Sequence, residues 1–315
     1  MEPSPDTISS LSTLFINISC SLSLVGTLGV LILVSWLKVR TQFSVYIKVL
    51  LLTDLIYSVF SLIARNIKSQ SCPNGTCDII MFFMVLSFQF SLIWTISFAV
   101  NTYLLIIKDR PRIESYTLWY WIIGIFWSIA LGFIPVLFDG YGPSRYYGCG
   151  INKDLPQNEA LWVGIFIQFT PLLIALTLIV IFYGLVVRSL YLATKRTGDC
   201  VEIKKIAYQL MPFPTIFAVC GFPGLFETIY QLSTGKSSGW VIIVSAFLFR
   251  IIGFLNALYF GFTRKVREEL FKKFKKETGT ELSGSVASSF YGMKNEPPSD
   301  YVLIRENQTS AAGYL

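Results

Sequence analysis

A chain of 315 residues that is 53% hydrophobic, 16% aromatic and only 14% charged is too apolar and too charge-poor for a soluble protein of its size. The formal charge of +7 would suggest a nucleic-acid partner in a soluble domain, but here the basic residues collect in alternate loops between apolar runs, so the partner is a lipid bilayer and no nucleic acid. Histidine is absent, which excludes His-built zinc sites, Ser-His-Asp catalysis and His pH switches, and no other metal, cofactor or nucleophile motif suggests an enzyme.

Residues 1–13 carry Glu2 and Asp6 and no basic residue. They lack the positive n-region of a cleaved signal peptide and read as an extracellular N-terminus ahead of a retained signal anchor. Seven apolar spans follow, at 14–37, 45–64, 78–107, 117–138, 160–187, 204–232 and 239–262. The fold class is therefore all-α, an integral membrane seven-transmembrane helix bundle over 14–262. Between Ile79 and Ile107 there is no charged side chain, only polar interruptions such as Gln89, Asn101 and Tyr103. About 29 helical residues reach ~43 Å, more than the ~30 Å hydrocarbon core, so this central helix must tilt or emerge from the membrane.

The loops after spans 1, 3 and 5 and the stretch after span 7 hold 18 Lys and Arg against five on the other side. That asymmetry puts the N-terminus outside and the C-terminus inside a multi-pass protein, expected in the plasma membrane. Three cysteines, Cys72, Cys77 and Cys149, then lie on the oxidising side, leaving three possible pairings and one spare thiol. Asn74-Gly75-Thr76 is an outer glycosylation sequon. Asn17 falls at the membrane and Asn307 in the cytosol, so their sequons read as chance matches.

Charges inside a bilayer are the first functional suspects, and three lie well within spans: Asp54, Glu227 and Arg250. Asp54, near the midplane, reads either as a hydrogen-bonded node with Asn256 or a water, or as a state-dependent switch. Arg250 keeps its charge and must find a carboxylate, carbonyls or a ligand anion such as a phosphate. Gly253, Ala257 and Gly261 form a small-residue stripe on the same helix, suited to close approach of a neighbour. Span 6 contains Pro212, Pro214 and Pro223, each removing a backbone donor, and is expected to bend at two levels and to act as a hinge. Residues 263–276 place Val266, Leu270, Phe271 and Phe274 on one side, flanked by lysines, as an amphipathic juxtamembrane helix on the anionic inner leaflet. The polar, Ser- and Thr-rich stretch 277–315 reads as a disordered cytoplasmic tail.

Several pieces resemble the slime-mould cyclic-AMP receptors and their plant and protist relatives: Ser21-Leu22-Ser23-Leu24-Val25-Gly26, Phe43-Ser44 with Leu52-Thr53-Asp54-Leu55, Ser91-Leu92-Ile93-Trp94-Thr95, Ala207 to Pro212, and Gly253 to Phe262. The resemblance implies a G-protein-coupled receptor that binds an extracellular small molecule, with cyclic nucleotide suggested by likeness alone, and activates a heterotrimeric G protein. It favours the pairing Cys77–Cys149, which ties the central helix to the longest outer loop as seven-helix receptors do. It also implies coupling at the inner ends of spans 3, 5 and 6, where Arg110, Arg188, Lys204 and Lys205 lie, their other reading being contact with lipid headgroups. A transporter or channel using Asp54, Glu227 and Arg250 is the alternative. A retinal protein is disfavoured because span 7 has no lysine.

Overall fold

The computed structural model describes residues 5–37, 44–67, 75–107, 114–144, 148–197, 212–234 and 238–278. Helix α1 (Pro5–Leu37), α2 (Ser44–Asn66), α3 (Thr76–Ile107) and α4 (Glu114–Phe133) come first. The helix α4 tightens into a 3-10 turn (Ile134–Phe138) at Pro135, and a short hairpin follows, β1 (Tyr141–Pro143) pairing antiparallel with β2 (Cys149–Ile151). The fifth span is α5 (Gln157–Gly164), a π-turn (Ile165–Phe169) and α6 (Thr170–Thr197) in unbroken succession. Then come α7 (Pro212–Thr234), α8 (Gly239–Gly261) and α9 (Arg264–Thr278). Six of the described helices are long and apolar enough to cross a membrane. With α7, 23 residues long, they make a seven-helix bundle.

Two features differ from the expectation drawn from hydropathy. Helix α1 starts at Pro5 rather than near residue 14. Proline suits a first helical position, and the polar start is held by Arg65 of α2, whose Nη2 donates to Ser12 Oγ at 2.7 Å and to Thr13 Oγ1. The loop between α4 and α5 contains the hairpin, whose three-residue strands are too short to show an alternating pattern. Of the expected sixth span 204–232, residues 204–211 lie outside the described residues.

The interior is built between α3, α6, α7 and α8, where Leu92, Leu172, Ile179, Phe217, Phe249 and Ile252 form one buried cluster. Helix α8 packs most extensively on α1, and the Gly253–Ala257–Gly261 stripe is the reason. A Cβ on Gly253 would run into Ser23 Oγ and lie 2.9 Å from Asp54 Cβ, so only glycine lets α1, α2 and α8 meet there. Helix α4, in contrast, turns Trp119, Ile122, Phe126 and Phe133 outward, as a lipid-facing helix does.

The compact unit that holds the bundle runs to Glu269, and a second unit begins at Leu270. Along α9 Val266 is buried, whereas Phe271 and Phe274 are exposed apolar rings on an otherwise strongly charged helix.

Candidate functional site

One end of the bundle is closed by a disulfide between Cys77, at the start of α3, and Cys149, on β2, with Cα atoms 5.2 Å apart. Gly148 tucks the hairpin against α2, since a Cβ there would strike the carbonyl oxygens of Ala64 and Ile67. Tyr141, buried on β1, donates its hydroxyl to the Gly132 carbonyl at 3.2 Å. Burial, and then the charge of nearby Asp78, push its phenol above the usual tyrosine range. Asn152 Nδ2 donates to the Asp139 carbonyl at 3.2 Å, and Asp139 itself sits in the left-handed region at φ 50°. This "disulfide end" of the bundle is thus covered by a hairpin fixed at both margins. Cys72 lies outside the described residues, while Cys20 and Cys220 are buried free thiols.

At mid-depth, polar side chains from four helices converge. Asp54 of α2 is buried and accepts from Asn256 Nδ2 of α8 at 3.1 Å and from Ser91 Oγ of α3 at 3.4 Å. Ser58 returns its hydroxyl to the Asp54 carbonyl at 2.7 Å. In a low-dielectric interior the bonds from Asn256 and Ser91 replace solvation the carboxylate has lost, so the network joins α2, α3 and α8. Toward the disulfide end on the same helices, Arg250 Nε donates to Ser61 Oγ at 2.8 Å and Nη1 to the Ala246 carbonyl at 3.0 Å. Asp54, Ser58 and Ser61 recur at helical spacing along one face of α2, so α8 is stitched to α2 at two levels. A cavity of about 20 Å³ lies between them, lined by Ser23, Asp54, Ser58, Ser91, Arg250 and Gly253 among others. It has room for about one water. Ser23 Oγ, which lines it, is buried without a protein partner, as is Asn256 Oδ1 beside Asp54.

The sequence-selected residues divide accordingly. Asp54, Asn256 and Arg250 are brought together around α2 and α8. Glu227 is not: it sits far along α7, takes the backbone N–H of Ser238 and leaves Oε2 buried without a partner. The Arg250 guanidinium is oriented by Ser61 and its own helix instead of by Glu227, because α7 and α8 face each other with those two side chains at different heights. Pro223 is the one proline inside α7 away from its described start, and it deprives the Val219 carbonyl of a donor. Pro212 and Pro214 fall at the start of the described residues of α7. Arg188 is exposed on α6. Arg110, Lys204, Lys205 and Asn74 lie outside the described residues.

Other polar ties escaped the reading from sequence. Tyr46 and Thr117 share a hydrogen bond of 2.9 Å between α2 and α4, Tyr120 donates to Asn101 Oδ1 at 3.0 Å, and Gln89 is fully buried between α3, α4 and the fifth span. The signal for two of them was present: Gln89 and Asn101 interrupt the charge-free run of α3, and a buried amide needs partners.

A bundle of seven apolar helices, disulfide-closed at one end and polar at its centre, defines a multi-pass membrane protein of the receptor type. Residues 27–266 match the model of the 7 transmembrane receptor (rhodopsin family), and the chain belongs to that family of G-protein-coupled receptors. No curated protein matches the chain.

Proposed function

We propose that the protein binds an extracellular ligand from the disulfide end and activates a heterotrimeric G protein at the opposite end, as a receptor of the cyclic-AMP-receptor-like type. The family supplies the coarser statement, a receptor with a ligand and a G-protein partner. The finer type is supported by the motifs of spans 1, 2, 3, 6 and 7, and the outside position of the N-terminus by the 18-to-five distribution of Lys and Arg.

The observation that carries the ligand chemistry is Arg250. A guanidinium held by Ser61 and Ala246 beside the central cavity is a fixed positive charge on the helix that also bears Asn256. An acidic group such as a phosphate suits its planar donor set. A ligand that binds Arg250 more tightly in one arrangement of α8 against α2 shifts the population toward that arrangement. Arg110, Arg188, Lys204 and Lys205 are assigned to the G-protein surface, and Pro223 to the bend that lets the inner end of α7 move.

The test is a panel of acidic small molecules that includes cyclic AMP and other phosphorylated nucleosides. It is applied to cells expressing the chain, with guanine-nucleotide exchange on the G protein as readout. Activation by an acidic member, lost in Arg250→Gln at equal surface level, supports the reading. Solute or ion flux through the protein without nucleotide exchange overturns it in favour of the transporter.

A further inference from the structure

Helix α1 carries small polar side chains along one side. Ser12, Ser19, Cys20, Ser23 and Thr27 are each 0–1% exposed and recur at helical spacing, so this apolar span keeps a polar face turned into the bundle. Ser23 and Thr27 lie against Gly253 of α8, and Ser12 accepts from Arg65 of α2. Ser19 and Cys20 fall between these two levels, where Arg250 crosses from α8 to α2.

The Arg250 guanidinium commits two of its five N–H donors to neighbours, Nε to Ser61 Oγ at 2.8 Å and Nη1 to the Ala246 carbonyl at 3.0 Å. Ser61 is itself buried. The Cys20 thiol is in hydrogen-bond contact with the Ser61 and Ser19 hydroxyls and within electrostatic reach of the guanidinium. Ile16, Cys20 and Ala246 form one buried cluster, with Leu62 packed against it, so the residue whose carbonyl takes Nη1 belongs to the same junction. A chain of polar contacts thus runs from Arg250 of α8 through Ser61 of α2 to Cys20 and Ser19 of α1.

A serine hydroxyl rotates about its C–O bond, and an acceptor that rotates fixes a guanidinium poorly. A second partner stops that rotation. Sulfur is a weak donor and acceptor, but in a dry interior a contact of this kind is stronger than in water. With Nε engaged by Ser61, the edge of the fork that Nε shares with Nη2 is closed to a ligand. An acid group therefore has to be met at the Nη end of the guanidinium.

We infer that Ser61 and Cys20 form a relay that fixes the pose of the Arg250 guanidinium, with Cys20 a positioning residue that acts through Ser61. The consequence for affinity rests on the reading of Arg250 as the anchor of an acidic ligand: on that reading α1, through Cys20, helps to set how tightly the acid group is held. The three side chains sit on three helices, which is why the order of residues along the chain does not reveal the relay.

The experiment follows the Arg250 Nε–H directly, in the full chain in lipid nanodiscs, with nitrogen-15 at the arginine Nε and the resonance assigned by its loss in Arg250→Lys. Ser61→Ala should speed exchange of that proton with solvent about tenfold, and Cys20→Ala, which leaves Ser61 in place, about threefold. Cys20→Ser keeps a partner for the Ser61 hydroxyl and should stay within about twofold of wild type. The double variant Cys20→Ala/Ser61→Ala should match Ser61→Ala within about twofold, because Cys20 acts through Ser61. Titration with inorganic phosphate reads the consequence: the concentration that half-shifts the Arg250 resonance should rise about tenfold in Ser61→Ala and about threefold in Cys20→Ala. A thiol that only fills space between Ile16 and Ala246 would lower the thermal midpoint of Cys20→Ala and leave the Nε–H at its wild-type rate, and that result overturns the inference. Independent effects in the double variant overturn it as well. So do equal exchange rates in Cys20→Ala and Cys20→Ser, a comparison that decides even where Ser61→Ala fails to reach the membrane. The expected exchange pattern without any phosphate response in the wild type supports the relay and counts instead against Arg250 as the ligand's anchor.

Discussion

Two seams of the bundle are made differently. Where α1 meets α8, the approach is so close that Gly253 has no space for a methyl group, Ala257 is fully buried, and hydroxyls of Ser23 and Thr27 line the contact. Where α6 meets α7, packing is sparser and rests on larger apolar side chains such as Leu172 and Phe217, next to a helix interrupted by Pro223. Backbones in close van der Waals contact, on a helix α8 that is also hydrogen-bonded to α2 through Asp54 and Arg250, have one good arrangement. Flexible apolar chains beside a proline have several of similar energy. The first seam is thus the frame of the molecule, and the second is the one that can part without breaking it.

The largest effect tests what holds the covered end of the frame. Cys77→Ser or Cys149→Ser should each cost about 2–5 kcal/mol and lower surface expression alike. The double variant should add little, since either single change breaks the same bond. Additive losses in thermal midpoint would show that the two thiols act separately.

The seams can be compared directly with two glycine substitutions. Gly253→Ala should destabilise by about 1–3 kcal/mol, because the new methyl group meets Ser23 and Asp54, which the seam holds in place. Gly221→Ala meets only the flexible end of Leu172, and the gain in helix propensity offsets the strain to within about 0.5 kcal/mol. Thermal midpoints of the purified variants check this; equal losses would erase the distinction between the seams.

Arg250 is tied to α2 through Ser61, whereas Glu227 has its partner at Ser238, where α8 begins, so their neutral variants should separate. Arg250→Gln should weaken an acidic agonist about 10- to 100-fold, the worth of charge-assisted hydrogen bonds. Glu227→Gln should leave that affinity within about twofold, since the guanidinium is held by Ser61 and Ala246. Dose–response curves at matched surface level decide it, and an equal loss in both variants would mean that the two side chains act as a pair. Reversal of Lys204 and Lys205 to Glu should act on signalling alone. Nucleotide exchange should fall, while agonist affinity measured without G protein stays within about twofold, as expected for rim charges outside the ligand site.

How much of this was legible depends on the kind of force involved. Asp54, Arg250 and Glu227 stand out in the chain because an ionisable group in an apolar span must have a reason to be there. The Gly253–Ala257–Gly261 stripe announced a close neighbour but not that the neighbour is α1. Ser61 as the partner of Arg250, and the acceptor that Gln89 finds on the fifth span, gave no comparable sign, since each depends on residues distant in the chain meeting in one orientation, and the β1–β2 hairpin gave none because its strands are too short.

Hydropathy and charge spacing determined by themselves that this chain crosses a membrane as a bundle of helices and which ionisable groups that bundle encloses, because the bilayer penalises every unmatched charge and backbone group in the same way wherever it occurs. The tertiary structure alone decided which hydroxyl, amide or carbonyl answers each of those groups. Asp54 has Asn256 and Ser91, Arg250 has Ser61, and the Ile167 carbonyl has Gln89. Hydrogen bonds are short and directional, so partners are assigned by the rotation and height of neighbouring helices, and those are set by packing and not by the order of residues along any one of them.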